Sequence, residues 1–106
     1  MIYKFKSKAT GDVIMLQPHG DQVLRVLGKE PSAKGIIEVA AMPAFIAAIE
    51  SAINADELAR ERAVAQAAEE GTRLPPRDIS LRQRAWPLVE MMRRAHAAQH
   101  EIVWGV

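Results

Sequence analysis

The large apolar residues of this chain are concentrated at its two ends. Alanine buries little area, and without it 34 hydrophobic side chains remain. Residues 1–53 hold 20 of these and residues 79–106 hold 11, while the stretch 54–78 holds only Leu58, Val64 and Leu74. Burial at about 25 cal/mol per Å² has to offset an ordering cost of ~1–2 kcal/mol per residue. The ends can meet that requirement and the middle cannot. The distribution predicts one core built jointly by both ends of a single 106-residue domain, with an Ala/charge-rich helix and Pro linker, weakly held, at 54–79.

Periodicity assigns the elements. Ile2 to Lys8 alternates with period two, setting Tyr3 and Phe5 on one face of a strand and Lys4, Lys6 and Lys8 on the other. After turn chemistry at Ala9–Asp12, the run Val13-Ile14-Met15-Leu16 predicts a second strand buried on both faces, pairing with the first as a hairpin. Pro18-His19-Gly20 breaks that strand, and Asp21 is placed to cap a short helix through Leu27 that stops at Gly28. A third strand follows over Gly35–Val39.

Pro43 suits the first turn of a helix whose stripe of Met42, Phe45, Ile46, Ile49 and Ile53 faces the core. Alanine propensity and the Asp56–Arg60 pair carry this helix to about Glu70, where Gly71 ends it. Pro75-Pro76 marks 71–79 as a linker. Ser80 and Gln83 match a capping box opening a helix to about Gln99, with a kink or break expected at Trp86–Pro87. Ile102-Val103-Trp104 reads as a final strand. The order β-β-α-β-α-α-β predicts an α+β fold: a small mixed β-sheet of three to four strands with helices on one face.

At this point the segments YKFKSKATGDVIMLQPHGDQVLRVLGKEPSAKGII and SLRQRAWPLVEMMRRA resemble a bacterial family known as a domain of unknown function, number eighteen-forty. The resemblance covers both ends of the chain and implies a small soluble bacterial protein. It carries no activity, cofactor or catalytic residue onto these positions.

Chemistry-bearing motifs are sparse. There are no cysteines, which removes disulfides and thiolate sites and suits a reducing, cytoplasmic compartment. No export signal is visible, because lysines stand where its apolar centre would be, and no run reaches the ~18–20 uninterrupted apolar residues of a membrane-spanning helix. His96 and His100 lie one helical turn apart and are the weak candidates for a metal-dependent enzyme. The residue after His96 is alanine, not the glutamate a zinc protease needs, and no third ligand is near in sequence. The His19-Gly20-Asp21 start lacks a phosphate-loop pattern, and no serine sits in a nucleophile elbow. The sequence assigns no catalytic residue and implies no cofactor.

Charge is segregated although the whole chain carries only +1. Residues 1–34 and 73–106 each carry +3, and residues 35–72 carry −5. The acidic helix can therefore fold back on the basic ends, in its own chain or in a second copy. The leading expectation is a non-enzymatic interaction or regulatory module that self-associates as a homodimer or binds another protein, with Phe45, Ile49, Leu58, Trp86 and Trp104 as contact candidates. The alternative is a weak nucleic-acid binder using Lys4, Lys6 and Lys8 with Arg73, Arg77, Arg82 and Arg84, the last two as the principal anion contacts. A sequence pI of ≈ 8.2 and the lack of interleaved aromatics weigh against that alternative.

Overall fold

The computed structural model describes residues 2–71 and 80–105. Its elements are β1 (Ile2–Lys6), β2 (Val13–Leu16), α1 (Gln17–Val26), β3 (Gly35–Ile37), a 3-10 turn (Val39–Ala41), α2 (Met42–Glu70), α3 (Leu81–Ala98) and β4 (Ile102–Trp104). This is an α+β fold with the expected element order. The sheet runs β2-β1-β4-β3 and is antiparallel throughout, which corrects the expected mixed sheet. β1 and β3 do point the same way, but the C-terminal strand lies between them and runs against both. The first and last strands are thus neighbours at the centre of the sheet.

All helices pack on one face. Tyr3, Phe5, Met15, Ile37, Ile102 and Trp104 project from the sheet into the core. Val23, Leu24 and Leu27 of the first helical segment meet them, with Met42, Ile49 and Ile53 of α2 and the stripe Leu81, Ala85, Leu88, Val89, Met92 and Ala95 of α3. Tyr3 stacks on Phe5 at 6.0 Å, and Phe5 meets Trp104 edge-on at 5.5 Å. α2 and α3 run antiparallel, tied by Glu50–Arg93 at 2.8 Å and Glu57–Arg82 at 2.6 Å.

Local signals explain most boundaries. Ser80 and Gln83 satisfy each other's backbone N–H groups at 3.2 and 3.1 Å, closing the capping box. Gly71 ends α2 at φ 67°, a left-handed conformation that glycine reaches without a Cβ penalty. Asp56 and Arg60 pair at 3.0 Å.

Three further expectations are corrected. α1 begins at Gln17, four residues before Asp21, because Pro18 is tolerated in a first turn that needs no N–H there. Asp21 therefore sits inside the helix and does not cap it. α3 is unbroken through Pro87, since Ala85, Leu88, Val89 and Met92 all pack fully into the core around the missing hydrogen bond. β2 is buried on one face only, because no second layer covers its Ile14 and Leu16.

At about 1.5 Å per residue, the 29 residues of α2 reach ~44 Å and dominate a molecule 51 Å long. Beyond Ile53 it buries only Ala67 among the described residues. Alanine also makes Val39–Glu70 long and apolar enough to cross a bilayer by length and composition, with mean hydropathy 1.2 over one 18-residue window. Within it, Met42, Ile49 and Ile53 face the domain core.

Candidate functional site

Strand alternation that builds the core necessarily builds an opposite face, and here that face is apolar and uncovered. Ile2 pairs with Leu16 and Lys4 with Ile14, while Val103 lies between Lys6 and Ile36. Ile2, Ile14, Leu16 and Ile36 are 43–60 % exposed. Lys4 reaches Asp12 at 3.6 Å, an exposed pair worth about 0–1 kcal/mol. Lys6 has no ion pair among the described residues. The surface is therefore an apolar band crossed by lysines, with β2 and β3 as open edges.

A cleft of ≈ 240 Å³ opens beside the loop before β3, sharing Ile2 and Lys4 with that face and lined also by Tyr3, Gln17, Asp21, Ser32 and Trp104. Its floor is already satisfied. The Tyr3 hydroxyl donates to the Asp21 carboxylate, and Trp104 Nε1 donates to the Ser32 carbonyl at 3.0 Å. No buried side-chain polar atom among the described residues lacks a partner.

Burial pushes the Tyr3 hydroxyl from 10.0 up to about 12. The Asp21 hydrogen bond and negative charge add to the rise, and Arg25 opposes it. The fold thus favours the neutral phenol. Its contribution to stability is complete below pH 10 and is lost as pH rises towards 12. Tyr3 is the only tyrosine, so phenolate absorbance reports it alone. The expected midpoint lies near 12 or coincides with alkaline unfolding; a folded protein titrating at 10 contradicts the Tyr3–Asp21 geometry.

A family model described as a domain of unknown function, DUF1840, matches residues 1–104. The chain belongs to the DUF1840 family. No curated protein and no solved structure matches it.

The DUF1840 chain distributes its other candidate residues unevenly. Ile49 and Trp104 are core residues, at 1 and 2 % exposure, so neither presents a contact surface. Phe45 is half-buried against the core with Lys29 over its ring. Trp86 is half-buried, with the Arg82 and Arg93 guanidiniums 5.4 and 5.2 Å from its ring centre. Leu58 is exposed on the outer side of α2.

The anion candidates are divided between two layers. Lys4 and Lys6 lie on the outer sheet face, but β1 ends at Lys6 and Lys8 falls in the turn after it, off the strand expected to carry it. Arg82 and Arg84 lie in the helical layer against Glu57 and Gln22. Arg73 and Arg77 lie outside the described residues. His96 occupies the last turn of α3, but Gln99 turns left-handed at φ 59° and takes His100 off the helix. The one-turn spacing of the two histidines therefore does not place them on a common helical face. No group of three or more metal-ligating side chains occurs among the described residues.

The outer-face isoleucines and leucine were not among the contact candidates. Their signal was present in Val13-Ile14-Met15-Leu16: a strand apolar on both faces, in a chain whose helices can cover only one.

Proposed function

We propose that this protein is a non-enzymatic interaction module that self-associates as a two-fold dimer through the outer face of its sheet. The observation that carries this is the placement of Ile2, Ile14, Leu16 and Ile36, four of the six exposed large hydrophobic side chains among the described residues, on one side of a four-stranded sheet. Scattered single apolar residues are normal on a surface, whereas a contiguous apolar patch marks a contact. Two-fold dimers are the commonest closed assembly. The absence of cysteine fits a cytoplasmic setting.

Sedimentation equilibrium tests it. The wild-type chain is expected to show a reversible monomer–dimer equilibrium. An Ile14→Lys/Leu16→Lys variant, altered only at exposed positions, loses apolar burial on the order of 3 kcal/mol, and its Kd rises about 100-fold. A wild-type monomer at all concentrations, or a variant that associates equally well, overturns the proposal.

A further inference from the structure

The outer sheet face is too small to hold a stable dimer alone. Four strands about 4.8 Å apart and roughly 17 Å long give a footprint of about 300 Å², against the ~800 Å² each partner of a stable interface commonly buries. Packing two such faces together also sets lysine rows against each other, since Lys4 and Lys6 lie on the strand next to the sheet centre. Like charges at a contact oppose it. The occupant has to bring negative charge, apolar surface and additional area.

The outer half of α2 has those properties. Leu58 is exposed, and Glu61 and Ala65 follow it at the spacing that shares one helical face. Asp56 and Glu57 are engaged by Arg60 and Arg82, but Glu61 and Glu69 have no ion pair among the described residues. This segment belongs to the −5 third of the chain and the lysine strand to a +3 third. Resting on the self-association proposed above, we infer that the sheet face of one copy seats the outer half of α2 from a second copy. Leu58 enters between Ile14 and Leu16, and Glu61 meets Lys6. A two-fold axis makes the exchange reciprocal, so each copy contributes a seat and a helix and the buried area doubles.

A chain without cysteines allows a direct test. An Ile14→Cys copy is mixed with a Leu58→Cys copy and oxidised, and the products are separated by mass. The expected major product joins one copy of each variant, at several times the yield of either like-with-like product. A charge exchange accompanies it: Lys6→Glu is expected to weaken association about tenfold, and adding Glu61→Lys to the same chain restores it. Predominant joining of Ile14→Cys copies to each other shows sheet-to-sheet packing, which overturns this inference while leaving self-association standing. Predominant joining of Leu58→Cys copies to each other, or no rescue by Glu61→Lys, overturns it likewise. A wild-type chain that stays monomeric removes both proposals.

Discussion

Trp104→Ala is expected to lower the stability of the domain by about 3–5 kcal/mol. The indole is 2 % exposed, meets Phe5 edge-on and fills the space over Gly35, where a Cβ would lie 2.1 Å from the ring. It also satisfies the Ser32 carbonyl through Nε1. Truncation removes all of these contacts from the strand pair that joins the two ends of the chain. A domain of this size has ~5–15 kcal/mol in total, so the variant is at the margin of folding. Urea titration measures the effect. A loss below about 1 kcal/mol contradicts a shared core. Trp104→Phe, which keeps one aromatic ring but loses the N–H and part of the indole's volume, is expected to fall between the wild type and Trp104→Ala.

Gly20→Ala is the second large effect, and there local propensity and packing have opposite signs. Within a helix, alanine is normally favoured over glycine by about 0.5–1 kcal/mol. Gly20 is buried inside α1, and an added Cβ would lie 2.0, 2.6 and 2.9 Å from Tyr3 ring atoms. That ring cannot simply retreat, because it is stacked on Phe5 and its hydroxyl is held by Asp21 one residue further along the same helix. Overpacking of this kind costs roughly 1–3 kcal/mol or more. Packing wins, and a net loss of at least ~1–2 kcal/mol is expected. Pairing Gly20→Ala with Tyr3→Leu should recover much of it. A Gly20→Ala protein more stable than wild type contradicts the close approach of α1 to β1.

The same contact shows where sequence reasoning stops. Capping boxes, left-handed glycines and helical stripes are signals within about four residues, and those at Ser80–Gln83, Gly71 and Leu81–Ala95 appear in the structure as their chemistry requires. Asp21 has an equally good local signal as a cap, yet its carboxylate is taken by a hydroxyl 18 residues away. No local rule contains that partner. Sheet order is non-local in the same sense: the insertion of β4 between β1 and β3 follows from side chains converging from opposite ends of the chain.

Burial has a similar division. The stripe of α2 assigns Ile49 to the core and the structure buries it there, so its second reading as a contact residue fails, while the position of the helix against the body of the domain decides that Leu58 is surface. The histidine pair depends on one backbone angle, the left-handed turn at Gln99, which follows the last helical residue. For the outer face, the signal in the sequence is compositional. A four-residue strand apolar on both sides needs two covering layers, and one set of helices supplies only one.

The most direct test of that uncovered face is a methyl-resolved NMR dilution series on the wild-type chain. On raising the concentration, the methyl signals of Ile2, Ile14, Leu16 and Ile36 are predicted to shift together along one binding curve, while those of the core residues Ile37, Ile53 and Ile102 stay in place. Spectra that do not change with concentration, or shifts that bypass the outer sheet methyls altogether, would contradict the account.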